Sequence, residues 1–277
     1  MRIRKVIPGD ARPARSAPGG EEAARDPQFV EAIARGFTIL EAFTTRDSML
    51  GNQEIAERSG LPRPTISRLT HTLTRLGYLE YLPRFAKYQL GIAAVALGQL
   101  ALANMAVRGV ARPLMEALSQ RLGASVSLGR RDRLSMLYVE HAQPASAVAL
   151  QLGLGSRLPL AVTAMGRAYY AVAQAEERAA IDQQIEERFP ERWARVRDAL
   201  HEAVDMHAAL GFTISIGDWN REVHAAGAAI ILPDGGIAAF NCGAPAFMLD
   251  RDRVLREAGP GVSEMARRVL SIASGKG

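Results

Sequence analysis

The stretch "RPTISRLTHTLTR", residues 63–75, holds the residue types that grip a polyanion and read its bases. Ile66, Leu69, Leu73 and Leu76 recur at helical spacing and define a face expected to be core. Thr65, Ser67, Arg68, His71, Thr72 and Arg75 lie off that face. Guanidinium forks and hydroxyls suit phosphates and base edges. Pro62 and Pro64 fit only a helix start, because proline lacks an N–H and fixes φ. They therefore place Arg63, Thr65, Ser67 and Arg68 in the first turns, the part of a recognition helix that enters the major groove, with His71 and Thr72 next. Arg84 and Lys87 follow in "PRFAK", the tip of an expected hairpin, as candidates for phosphate or minor-groove contact.

An amphipathic helix with a solvated face would show the same leucines, so the surroundings decide. From Arg58 to Tyr88 there are six basic residues and one acid, Glu80, a local charge of +5 that equals the net charge of all 277 residues. A basic segment on a neutral body is the footprint of a nucleic-acid partner. Upstream, Ile33, Phe37, Leu40 and Phe43 suggest one apolar helical face, "NQEIAERS" a second helix, and Gly60 its C-terminus. Downstream, "YLEYLPRFAKYQLG" reads as two short strands. Three helices and a basic hairpin describe a winged helix-turn-helix over residues 27–91. Residues 1–26 read as a disordered basic tail (Arg2, Arg4, Lys5, Arg12, Arg15).

The remaining residues must supply something else. The apolar run from Ile92 to Val107 reads as one helix, a linker over 92–109 that is too apolar to stand alone in water and so expects a partner. Val110, Leu114, Leu118 and Leu122 suggest another helix. "SVSLGRR", "LSMLYVEH", "AVALQLG", "GFTISIG" and the hairpin signal "LPDGGIA" are strand-like. "TAMGRAYYAVA", residues 176–210 and a stretch near 250–274 are helical. Residues 110–277 thus read as an α/β domain around a mainly antiparallel sheet, and the whole chain as α+β.

Taken in order, "IARGFTILEAF", "NQEIAERSGLPRPTISRLTHTLTRLGYLEY" and "YQLGIAAVALG" resemble the N-terminal domain of IclR-type transcriptional regulators. "LPLAVTAMGRAYYA" and "GDWNREVHAAGAAIILPDGGIAAFNCGAP" are similar to segments of their C-terminal domain, so the resemblance covers roughly residues 29–274. It implies a winged helix-turn-helix joined by a helix to a GAF-like effector-binding domain. It also implies homodimers, often paired to tetramers, on double-stranded operator DNA, with a small organic acid or aromatic as effector. Thr163 is expected as N-cap of a helix whose first turn, Ala164, Met165 and Gly166, receives a carboxylate, with Gly166 letting the ligand approach the backbone. Asp218 and Glu222 are candidates for a ligand hydroxyl or the cavity edge, and Asn241, Cys242 and Gly243 end a strand facing the same cavity. Leu128, Tyr138, Leu152 and Trp219 would form an apolar wall. The chain departs from the family pattern at Asn241 and Gly243, where small hydroxyl residues often stand, and at Ala229, where proline does.

Other classes have less support. Cys242 is the single cysteine, so no internal disulfide forms, which suits a reducing cytosol. No apolar run reaches the ~18 residues of a membrane span. The five histidines (71, 141, 201, 207 and 224) lack metal-ligand spacing, and no Gly-x-Ser-x-Gly or phosphate-cradling loop occurs. An enzyme working through the C-terminal half, or a DNA-binding protein without a ligand, are the competing readings. No cofactor is expected.

Overall fold

The computed structural model describes residues 27–44, 47–144, 150 and 152–275. The basic segment 1–26 and most of the strand expected in "AVALQLG" lie outside the described residues. The chain divides into two units between Asn104 and Met105.

In the first unit, α1 (Glu31–Glu41), α2 (Asn52–Ser59) and α3 (Arg63–Arg75) precede the antiparallel pair β1 (Leu79–Leu82) and β2 (Lys87–Leu90), then α4 (Ile92–Ala103). Gly60 takes φ 70° and ends α2, which aims the chain into α3. Leu50 bridges to Tyr88 and adds a third, minimal strand to the hairpin. The core joins Ile39, Phe43, Leu50, Ile55, Ile66, Leu73 and Leu79. Two expected faces rotate. On α1, Ile33 and Phe37 are more than half exposed, and Ile39 is the residue turned fully inward. On α3 the buried stripe is Ile66, Thr70 and Leu73, while Leu76 is 60% exposed. Thr70 tolerates burial because its hydroxyl donates to the Ile66 carbonyl at 2.9 Å.

α4 buries no residue at all, with Ile92 78% and Leu100 62% exposed. The expected continuous helix to Val107 does not form. Asn104 caps α4, Met105 leaves helical geometry (φ −87°, ψ 85°), and α5 (Ala106–Leu122) starts anew.

The second unit is a six-stranded, fully antiparallel sheet in the order β5-β4-β3-β8-β7-β6. Its strands are β3 (Ser125–Asp132), β4 (Ser135–Ala142), β5 (Arg157–Pro159), β6 (Thr213–Ile216), β7 (Val223–Ile231) and β8 (Ile237–Pro245). α5 and α10 (Gly259–Ala273) cover one face, and α6 (Ala164–Val172) covers the other. α7 (Ala175–Arg188) and α8 (Trp193–Leu210) lie outside α6 and are separate helices, because Pro190 starts a 3-10 turn between them. The last helical region opens with a short turn, α9 (Arg251–Arg253), and a π-helical stretch, Val254–Ala258.

One close approach fixes the exit from the hairpin. A Cβ at Gly91 would lie 2.2 Å from the Gly77 carbonyl oxygen, and both partners are backbone. Gly91→Ala should therefore lose about 2 kcal/mol or more in a denaturant melt. Gly36→Ala, where a Cβ meets nothing within 4 Å, should be neutral or stabilising in the same assay.

Candidate functional site

Two regions hold the candidate residues, one in each unit. Pro62 stands at the N-cap of α3 in extended conformation and Pro64 in its first turn, as the sequence requires. Arg63, Ser67, Arg68, His71 and Thr72 are exposed and Thr65 is half-buried. Thr72 returns its hydroxyl to the Arg68 carbonyl at 3.0 Å. Arg84 sits in the hairpin turn with its guanidinium 5.6 Å from the Phe85 ring.

Not every basic residue of this unit is available. Lys87 Nζ lies 2.9 Å from Glu54 Oε1, and the other oxygen of Glu54 accepts from the Gly51 N–H at 2.7 Å. The hairpin is thus tied to the start of α2. Arg58 binds the Ala42 carbonyl at 3.1 Å and Asp47 at 2.9 Å, closing the end of α1. The Gly51 N–H and then the Lys87 ammonium hold the Glu54 carboxyl below its usual range.

In the second unit, Thr163 caps α6. Its hydroxyl accepts from the Gly166 N–H at 3.2 Å and donates to the Pro159 carbonyl at 2.8 Å. The opening expected beside Gly166 is absent. A Cβ there would lie 2.0 Å from the Leu160 carbonyl oxygen, so glycine serves the seating of the helix. Gly227 of β7 abuts the same turn, where a Cβ would lie 2.4 Å from the Ala164 oxygen. The Thr213 hydroxyl donates to that oxygen at 2.7 Å. Thr163, Ala164, Met165 and Gly166 are all buried.

Strand register sorts the remaining candidates. Asn241 and Gly243 alternate with Cys242 along β8, so they face α6 while Cys242 faces α5 and α10. Leu128 pairs with Phe240 and also points to the α5 side. Leu128 and Cys242 therefore do not line a cavity with Asn241. Burial pushes the Cys242 thiol up to about 12, which leaves it inert packing. Tyr138, Leu152 and Trp219 join the apolar cluster on the α6 side. Asp218 is at the rim, 2.8 Å from Arg167, whose guanidinium also donates to the Ile214 carbonyl. Glu222 is exposed, and only its backbone is engaged, with Asn220 and Ala246.

Three residues of this face escape a reading by spacing. Ser127 is the cross-strand neighbour of both Asn241 and His141. Its hydroxyl lies 2.8 Å from His141 Nδ1. Arg167 is the third. Tyr138 and His141 are three apart in sequence, which puts them on opposite faces of a regular strand. The register slips between Leu128 and Gly129, where Val139 is the extra residue on β4, and this bulge brings the two rings to one face with centroids 6.0 Å apart.

Residues 32–83 match the IclR helix-turn-helix domain and residues 99–270 match the bacterial transcriptional regulator IclR C-terminal domain. The chain belongs to the IclR family. The HTH-type transcriptional regulator TsaQ1/TsaQ2 of Comamonas testosteroni is 32% identical over 246 residues, covering 87% of each chain. The Pca regulon regulatory protein of Pseudomonas putida is 29% identical over about half of each chain (51% and 48%). A solved IclR-family regulator from Brucella abortus superposes with a TM-score of 0.81 at 42% identity, over 89% of this chain and 94% of that one. An IclR homolog from Microbacterium hydrocarbonoxydans, solved with 4-hydroxybenzoate, shares the fold at 23% identity (TM-score 0.66; 88% and 98% covered). This IclR-family chain is a ligand-responsive DNA-binding transcriptional regulator and not an enzyme. Among its described residues no single helix is long and apolar enough to cross a membrane.

The Lys87–Glu54 pair predicts a division of labour in the hairpin. Lys87→Ala should cost stability, at most ~1 kcal/mol for so exposed a pair, while Arg84→Ala should leave the melt unchanged. The depressed Glu54 carboxyl contributes stability at neutral pH that is lost as pH falls through its lowered pKa. Lys87→Ala should move that loss to higher pH in an acid-unfolding series.

Proposed function

We propose that Arg63, Thr65, Ser67 and Arg68 read base edges of an operator in the major groove, with His71 and Thr72 behind them and Arg84 on a flanking phosphate. The observation that carries this is the first half of α3, exposed and basic. Arg63 and Arg68 have no carboxylate partner among the described residues, while Arg58 and Lys87 are neutralised within the fold. Lys87 is accordingly a weaker phosphate candidate than Arg84.

A second copy of this chain is the partner that suits α4. Its apolar surface, continuous around the helix, is larger than a monomer tolerates in water. A homodimer also presents two reading heads to a two-part operator. Pairing of dimers to tetramers follows the family habit. Such work on DNA sits in the cytoplasm.

The effector is a small organic acid, aromatic in the favoured form, bound on the α6 side of the sheet against Tyr138, Leu152 and Trp219. The IclR homolog of the same fold solved with 4-hydroxybenzoate supports an aromatic acid. Signal transfer has a physical route. On β4, Glu140 and His141 are consecutive, and Glu140, 4% exposed, binds Arg108 of α5 at 2.9 Å. A ligand that shifts β4 also shifts the start of α5, three residues beyond the break at Met105.

The test is binding to the DNA upstream of the protein's own gene, followed by fluorescence anisotropy across a salt series. The wild type should bind with a steep salt dependence. Arg68→Ala should weaken specific binding by roughly tenfold or more without lowering the melting temperature. Absent or salt-insensitive binding would refute the reading.

A further inference from the structure

The tip of the β1–β2 hairpin carries an apolar side chain that the fold does not use. Phe85 is 53% exposed and lies outside the set of side chains packed on the core of its unit. The rings near it are placed differently. Tyr78 and Tyr88 pack on that core, and Tyr81 meets Tyr88 with centroids 5.0 Å apart. Phe85 has the Arg84 guanidinium 5.6 Å from its ring instead. Arg84 has no carboxylate partner among the described residues, and the acids nearby are engaged. Glu80 accepts from Gln89 at 2.8 Å, and Glu54 holds Lys87. The tip is also kept in one shape. Pro83 fixes its own φ at the second position of the turn. The Phe85 N–H donates to the Leu82 carbonyl at 3.1 Å, and the Ala86 N–H to the Pro83 carbonyl at 3.3 Å. Ala86 closes the turn in left-handed geometry, φ 51°, which an alanine rarely adopts. Strained backbone of this kind persists where its surroundings hold it, and it clusters at ligand contacts.

Single exposed apolar residues are common on protein surfaces. What sets Phe85 apart is where it stands. The Lys87–Glu54 pair anchors the tip to the first turn of α2. In a helix-turn-helix, the helix before the recognition helix crosses the sugar-phosphate backbone. A tip beside the start of that helix meets the phosphates that border the major groove, and the minor groove opens on their other side. Both tip residues suit that groove. An arginine without a carboxylate partner is drawn to its negative potential. A rigidly projected apolar ring leaves water there by entering between base pairs, which asks for no hydrogen bond. A protein partner suits the tip less well, because one ring beside one cation falls far short of an interface core.

We propose that Phe85 is a wedge. It enters the minor groove next to the major groove read by α3, partly unstacks one base step and kinks the operator there, while Arg84 holds a phosphate of the same groove. Opening a step costs least where a pyrimidine precedes a purine, so Phe85 selects a TA or CA step at a position that no α3 side chain touches. This rests on α3 reading operator DNA. The full-length protein is bound to the DNA upstream of its own gene, labelled with a dye at each end. The wild type should bend the fragment by roughly 20° or more, read as energy transfer, and should leave an unstacked thymine open to permanganate at the edge of the bound site. Phe85→Ala should lose most of the bend and the permanganate signal. Its melting temperature and the salt dependence of its binding should not change, because neither core nor charge is removed. Phe85→Leu keeps an apolar wedge and should keep both signals. Phe85→Lys adds a cation at the tip and should steepen the salt dependence, yet lose both signals. Should Phe85→Ala melt early, the leucine and lysine variants decide. A bound wild-type complex that lacks either signal overturns the proposal, as does retention of both by Phe85→Ala or Phe85→Lys, or their loss in Phe85→Leu. A wild type that does not bind the fragment at all refutes the operator reading itself, an outcome distinct from binding without a kink.

Discussion

The second unit depends on a contact between backbones. The first turn of α6 is pressed between the exit of β5 and strand β7 so closely that neither Gly166 nor Gly227 has space for a Cβ. This seat orders much around it. It brings the Ala164 carbonyl to the Thr213 hydroxyl, turns Thr163 back onto Pro159, and lays Met165 over Gly129. It also fills the space beside Gly166 with Leu160. Close packing leaves no cheap way to relax such an arrangement.

In the first unit the decisive feature is how charge is distributed between internal ties and open surface. Six basic residues in a short span would repel if all were free. Arg58 holds the end of α1 and Lys87 ties the hairpin to α2, so two of them build the scaffold. Of the charge left on α3, Arg63 and Arg68 lie in its N-terminal half, where the prolines start the helix, and Arg75 lies in its last turn. A local field of one sign on a neutral body speeds and orients encounter with an anionic partner.

The bulge on β4 links the sensing face to the rest of the chain. By inserting Val139 it turns Tyr138 and His141 to the α6 side while Glu140 reaches Arg108 on the other. One strand thereby touches both the proposed ligand face and the helix that begins at the boundary of the units. An energetic coupling between the two sites needs such an element, biased by both.

Much of this was legible in the residues alone. Pro62, Pro64, Gly60 and the leucine spacing determine where α3 begins and which side is polar, because proline and glycine act on the local backbone. The antiparallel sheet and the Thr163 cap follow from equally local chemistry. What depends on contacts distant in sequence was not legible. Periodicity put Ile33, Phe37 and Leu76 in the core, but the crossing of helices turned them outward. Gly166 was read as an opening for a ligand, yet Leu160 fills that space. Leu128 and Cys242 fall on the far face because strand register decides direction, and Ser127 and His141 join Asn241 only through pairing and a bulge. A period is a property of one segment, whereas a face, a closed gap and a cross-strand hydrogen bond are properties of segments brought together. The sequence by itself therefore determined most of the elements, though not the break between α4 and α5, and the family. The tertiary structure alone decided which side chains meet.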